Sequence, residues 1–202
     1  MTIGVVDYGV GNLASVMKAL AFVGATPTRT ADPAAIRGAG AIVIPGVGHF
    51  AATSALGGEW REAITDAIGR GVPVLGICLG MQWLFDGSRE APLVAGLGAM
   101  EGTCSVLYGD VKVPHVGWNT LAKSAKESVL LAGVADGAFA YFTHSYAAPV
   151  TEDAVATTTH GHEFASVVER GRTFGVQWHP EKSGDVGLAV LRNFVELVRA
   201  SC

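Results

Sequence analysis

The sequence predicts a three-layer α/β domain: a mixed, mostly parallel central sheet with helices on both faces. Three observations point to it. In the first part of the chain, short apolar runs alternate with segments of helical periodicity, the pattern of strand–helix–strand units. In the second part, short β-type runs separated by turn residues lead to one closing amphipathic helix. Half of the 202 residues are apolar and only 16% are charged, which is enough apolar material for one sizeable core, so residues 1–202 are read as one domain.

Residues 2–7 (TIGVVD) read as a strand ending in a Gly-rich turn, Tyr8, Gly9, Val10 and Gly11. Asn12 is placed as an N-cap, because its side chain can accept from a free helical N–H. Leu13, Val16, Met17, Leu20 and Val23 then recur at helical spacing, with Gly24 as the stop. Asp32 and Pro33 start a short helix, since a capping carboxylate followed by proline suits a helix N-terminus. Residues 41–44 form a buried strand closed by Pro45, Gly46, Val47 and Gly48. Trp60, Ile64, Ala67 and Ile68 mark a second full helix. Residues 72–77 are a third buried strand and residues 79–86 a helix, with 86–102 as the longest loop-like stretch. Residues 103–108, 111–113, 139–144, 154–159, 164–170 and 173–178 are β-type runs. Val186, Val190, Leu191, Phe194, Leu197 and Val198 form the apolar stripe of the last helix.

Composition excludes several classes. The net charge is −4 and no Lys/Arg block occurs, so nucleic-acid binding has no electrostatic footprint. Mean hydropathy is high at +0.37. Yet the most apolar window, 72–85, holds Pro73, two glycines and Gln82 and falls short of the ~20 residues of a membrane span. Asp7 stands where a signal peptide needs its apolar stretch. The three cysteines (Cys78, Cys104, Cys202) are odd in number and far apart, which suits a reducing cytoplasm, and no CxxC pair suggests zinc.

The sharpest local signal is GICLGMQ at 76–82, a G-x-nucleophile-x-G pattern with Cys78 as the nucleophile. A nucleophile between strand and helix sits on a very sharp turn. Small neighbours at Gly76 and Gly80 leave room for that backbone and for helix–sheet contact. Unpaired N–H groups at the helix start favour a thiolate. Taken alone, the composition favours a plain buried thiol, since free Cys is among the most buried residue types. A second element changes the balance. QWHPE at 177–181 follows a β-type run, and a cysteine nucleophile needs a base with an orienting group. His179 is the natural base, and Glu181, two positions on in an extended segment, points to the same side. PGVG at 45–48 is either an ordinary turn or, in an acyl-transfer site, a segment whose backbone N–H groups at Gly46, Val47 and Gly48, jointly with that of Leu79, suit an oxyanion. HGHE at 160–163 lacks a third clustered ligand and is read as a solvated turn, Lys182 as a surface charge. Trp118 and Asn119 are either a surface aromatic with a turn Asn or part of a partner face.

Taken together, PGVG at 45–48, GICLGMQ at 76–82 and QWHPEKS at 177–183 resemble the class I (triad) glutamine amidotransferases. DYGVGN at 7–12, PHVGWN at 114–119 and YFTHSY at 141–146 are similar, within that family, to the glutaminase subunits of imidazole glycerol phosphate synthase. The likeness runs from Val6 to Phe194. It departs from the family pattern at Trp178, where Phe is expected, and in the Asp86–Glu90 loop.

The resemblance implies hydrolysis of L-glutamine to glutamate and ammonia, with Cys78 as nucleophile, His179 as general acid/base and Glu181 as orienting carboxylate. It implies that Gln82, Glu90, Ser145 and Tyr146 hold the substrate. It implies no cofactor and no metal. It further implies a heterodimer with a (β/α)₈-barrel cyclase that uses the ammonia to make imidazole glycerol phosphate and aminoimidazole carboxamide ribotide, with Asn12, Trp118, Asn119 and Lys182 as contact positions. The glutaminase subunits of anthranilate, aminodeoxychorismate or pyridoxal phosphate synthase share the triad and stay open as alternatives, as does a non-catalytic relative.

Overall fold

A computed structural model describes residues 2–200 of the chain. Strand β1 (Thr2–Val6) leads to helix α1 (Leu13–Phe22), strand β2 (Thr26–Thr30), a 3₁₀ turn (Pro33–Gly38) and strand β3 (Ala41–Gly46). A second 3₁₀ turn (Phe50–Leu56) and helix α2 (Glu59–Gly69) precede β4 (Val74–Cys78), which passes without a loop into α3 (Leu79–Leu84). Nine strands follow: β5 (Gly87–Ser88), β6 (Thr103–Val106), β7 (His115–Thr120), β8 (Ala122–Lys123), β9 (Phe139–His144), β10 (Tyr146–Ala147), β11 (Ala154–His160), β12 (His162–Arg170) and β13 (Thr173–Val176). A 3₁₀ turn (Pro180–Lys182) then feeds helix α4 (Gly184–Arg199).

The central sheet has the order β2-β1-β3-β4-β13-β12-β11-β8. From β2 to β13 the strands are parallel; beyond β13 they are antiparallel. β3 and β4 are buried along their whole length, which is why they read as continuous apolar runs. Alternation along the strands divides the core in two. Val5, Val43 and Leu75 meet Val16 and Leu20 of α1 and Leu191 and Phe194 of α4. Val6, Ile42 and Ile44 meet Trp60 and Ile64 of α2 and Met81 and Trp83 of α3. Each large side chain so buried stabilises the fold by roughly 1.5–3 kcal/mol before entropy is counted. The three-layer expectation agrees with this architecture.

Several local expectations are corrected. β2 (TPTRT) is a strand that no apolar pattern announces: it lies at the sheet edge, its side chains are largely exposed, and an edge tolerates Pro27. Residues 111–113 form no strand, while PHVGWN, read around a turn, supplies β7, which pairs antiparallel with β9 as a separate two-stranded ribbon. Helix α3 stops at Leu84 rather than at residue 86, because Phe85 is extended and its N–H turns back to Gln82. Asn12 occupies the N-cap position of α1 but makes no side-chain capping bond there. Asp32 does cap, accepting from the Ala34 N–H at 2.9 Å. Cys202 lies outside the described residues.

Candidate active site

Cys78 ends β4 with φ of 54°, the one non-glycine residue of positive φ among the described residues. A left-handed backbone costs an ordinary side chain about 1–2 kcal/mol, so the surrounding packing must hold it there. Two glycines make that packing possible. A Cβ on Gly80 would stand 1.8 Å from the Ile44 carbonyl oxygen, and one on Gly76 would stand 2.7 Å from the Gly80 carbonyl. Both obstacles are backbone and cannot swing aside. Gly80→Ala is therefore expected to destabilise the protein by about 3 kcal/mol or more. Thermal unfolding measures it; a melting temperature within 2 °C, roughly the shift of under 1 kcal/mol at this size, removes the close-approach argument.

His179 arrives from far along the chain. β13 pairs with β4, and the chain leaves the sheet at Gln177, Trp178 and His179 beside Cys78. Three bonds fix the His179 backbone: its N–H donates to the Tyr141 carbonyl at 2.9 Å, its carbonyl accepts from the Ser183 hydroxyl at 2.7 Å, and that hydroxyl accepts from the Tyr141 N–H at 2.9 Å. Nδ1 of His179 lies 2.9 Å from Oε1 of Glu181, with both side chains buried. The segment is not extended, as the sequence suggested: Pro180–Lys182 is a 3₁₀ turn, and it curls the carboxylate back under the ring. Burial alone would lower the imidazole pKa; the Cys78 sulfur and then Glu181 outweigh it and raise it to about 9. Nε2 is buried and without a hydrogen-bond partner.

Cys78 opens into a cavity of ≈ 270 Å³, the scale of a small metabolite. Leu79, Gly48, Gln82, Glu90, Ser145 and Tyr146 line it, so all four positions assigned to substrate come together there. Gly46 sits opposite Cys78 in the β3–β4 register, Gly48 has φ of 97°, and Val47 does not line the cavity. The Glu90 carboxylate accepts from the Phe50 N–H at 2.7 Å, which ties the 86–102 loop to the turn after PGVG.

A family model, glutamine amidotransferase class-I, matches residues 5–197. This chain belongs to the class I glutamine amidotransferases. Among the family's proteins it is 45% identical to "Imidazole glycerol phosphate synthase subunit HisH" of Salinibacter ruber, over 96% of this chain and 93% of that protein. It is 47% identical to the protein of the same name in Thermococcus kodakarensis, over 96% of this chain and all of that one. The fold is shared with the Thermotoga maritima PurLQS structure (TM-score 0.76, 19% identity, 97% and 98% covered). It is shared also with the glutaminase domain of Trypanosoma brucei CTPS (TM-score 0.70, 16% identity, 97% and 94% covered).

Two groups near Cys78 are ones that the sequence does not single out. Gln177, first residue of QWHPEKS, donates to Cys78 Sγ at 3.7 Å and accepts from the Gln82 amide at 3.0 Å. His144, inside YFTHSY, lines the cavity. Both belong to motifs that stand out in the sequence, and the fold shows which members of those motifs face inward.

The positions assigned to a partner divide. Trp118 is 55% exposed and packs edge-on against Tyr141, ring centroids 5.9 Å apart, and Lys182 Nζ lies 5.8 Å from the same Tyr141 ring. Trp118, with Val116 and Phe139, also exposed, forms an apolar stripe on the β7–β9 ribbon. Asn119, next in sequence, turns to the opposite face and donates to the Thr159 carbonyl at 3.0 Å. Asn12 lies at the start of α1, a helix that contacts the Pro180–Lys182 turn. Among the described residues no three His, Cys, Asp or Glu side chains are grouped to hold a metal ion. His160 and His162 face each other across the β11–β12 turn and stack on His115 and Tyr108. No helix of the described residues is long and apolar enough to cross a membrane.

Proposed function

We propose that residues 1–202 act as one glutaminase domain, the glutamine-hydrolysing subunit of an imidazole glycerol phosphate synthase. The observation that carries the chemistry is a cysteine strained onto a strand-to-helix corner and served by a buried His179–Glu181 pair. The choice of synthase rests on relatives of that name at 45–47% identity over nearly the whole chain.

In this reading the Cys78 thiol passes its proton to His179 Nε2 and Sγ attacks the side-chain amide carbon of L-glutamine. The Leu79 N–H, with backbone N–H groups of the Gly46, Val47 and Gly48 segment, receives the oxyanion; one such donor is typically worth ~10²–10³ in rate. His179 gives the proton on Nε2 to the leaving nitrogen, and ammonia departs. Water then attacks the glutamyl thioester, His179 takes its proton, and glutamate leaves as the thiol reforms. Glu181 holds the ring and compensates its charge throughout. Gln82, Glu90, Ser145 and Tyr146 grip the substrate's other end. No cofactor enters the scheme, and the unpaired thiols of Cys78 and Cys104 suit a reducing cytoplasm.

The partner is a (β/α)₈-barrel cyclase subunit that receives the ammonia. Sequestration has a chemical reason: free ammonia at neutral pH is mostly ammonium, which is no nucleophile. The exposed stripe of Val116, Trp118 and Phe139, with Lys182 and the half-buried Tyr141 beside it, is the docking face. Ammonia release from glutamine, with and without the cyclase and its ligand, tests the assignment. A sharp rise on adding both is expected. Maximal activity from the isolated chain counts against coupling, and stimulation by an anthranilate-type synthase instead redirects the assignment.

A further inference from the structure

Two buried histidines near the cavity have no part in the chemistry above, yet both belong to one continuous hydrogen-bonded chain. Asn119 Nδ2 lies 3.3 Å from His115 Nε2, His115 Nδ1 lies 3.1 Å from His144 Nε2, and His144 Nδ1 lies 3.0 Å from the Tyr146 carbonyl. From the other side the Gln82 amide donates to the same carbonyl at 2.7 Å and to Gln177 Oε1 at 3.0 Å, and Gln177 donates to Cys78 Sγ.

What each group can donate fixes the direction of every link. A carbonyl only accepts, so His144 carries its proton on Nδ1. A neutral ring then accepts at Nε2, so His115 also carries its proton on Nδ1 and accepts from the Asn119 amide at Nε2. No link conflicts with its neighbour. Burial first, and neighbouring histidines after it, push the pKa of His144 down to about 3 and that of His115 to about 4, so both rings are neutral as the chain requires.

We propose that His144, held in its Nδ1–H form by His115 and Asn119, is a positioning residue for glutamine: it fixes the Ser145–Tyr146 backbone and, through the shared Tyr146 carbonyl, the Gln82 amide at the cavity wall. The inference rests on the reading of this cavity as the glutamine site. It gives Asn119 a structural task in place of direct partner contact. It also ties the inner face of β7 to the substrate pocket, while Trp118 presents the outer face of the same strand.

The test compares the full chain with its His144→Leu and His144→Asn variants in glutamine hydrolysis, assayed with the cyclase present, and in alkylation of Cys78 by iodoacetamide. His144→Leu removes the donor to Tyr146 and is expected to raise KM for glutamine about tenfold. The fall in kcat should be smaller than the rise in KM, and alkylation should stay within threefold. His144→Asn keeps a donor where Nδ1 stood and should return KM to within threefold. A His144→Leu KM within twofold of the unmodified chain overturns the proposal. Nitrogen NMR of the unmodified chain gives an answer that needs no variant to fold: both rings neutral with Nδ1–H is expected, and an Nε2–H form at His144 overturns it. Should the unmodified chain release no ammonia while the Nδ1–H form is present, the glutaminase reading fails and the hydrogen-bonded chain stands.

Discussion

Cys78→Ala is expected to abolish ammonia release from glutamine, by roughly 10⁴-fold or more, because without the sulfur no thioester forms and the remaining groups act on a substrate with no nucleophile. The fold should survive. Alanine fits the space that a buried thiol leaves, and the corner is held by Gly76, Gly80 and the β3–β4 register rather than by the sulfur. Cys78→Ser is the sharper control, since it keeps a polar atom beside Gln177 and His179 and changes only the nucleophile. Ammonia release, glutamine affinity by calorimetry and the melting temperature separate the possibilities. Turnover by Cys78→Ala within tenfold of the parent removes the covalent route. Lost glutamine affinity together with a collapsed melting temperature shows that the corner needs its sulfur for folding.

Part of this site was legible in the sequence because its requirements are local. The corner at 76–82 needs small residues at fixed spacing, and the clashes a Cβ would meet at Gly76 and Gly80 show why nothing else fits. The buried strands β3 and β4 announce themselves by unbroken apolar runs, and the last helix by its apolar stripe. What escaped depends on tertiary placement. β2 is polar because it is an edge, and an edge strand needs no apolar face. β7 alternates His115, Gly117 and Asn119 inward with Val116, Trp118 and Thr120 outward, so the polar His115 and Asn119 face in while the apolar Val116 and Trp118 face out, the reverse of the pattern that marks a strand. The inner side chains are satisfied by hydrogen bonds and ring stacking rather than by apolar packing. The Glu181 orientation was anticipated for the wrong reason: the turn at Pro180–Lys182, not strand alternation, brings it to Nδ1.

Glu181→Gln should lower kcat/KM for glutamine by about 10²–10⁴, since a neutral amide keeps the ring's position but cannot compensate the charge that His179 carries in the transition state. The pH dependence gives a more specific expectation. In the folded protein Cys78 and Glu181 raise the His179 pKa to about 9, above the ordinary 6.5. A raised imidazole pKa contributes stability that is fully present below pH 6.5 and is lost as pH rises through about 9. The parent protein's melting temperature should therefore fall over that window, and the Glu181→Gln variant's should fall less. The free enzyme's kcat/KM carries the same signature. Above about pH 9 His179 loses the proton that the leaving nitrogen needs, so the alkaline limb lies there in the parent and moves toward neutrality in Glu181→Gln. Superimposable limbs in the two proteins would mean that Glu181 does not set the charge state of the ring. Cys78 would then be left as the only group that opposes its burial.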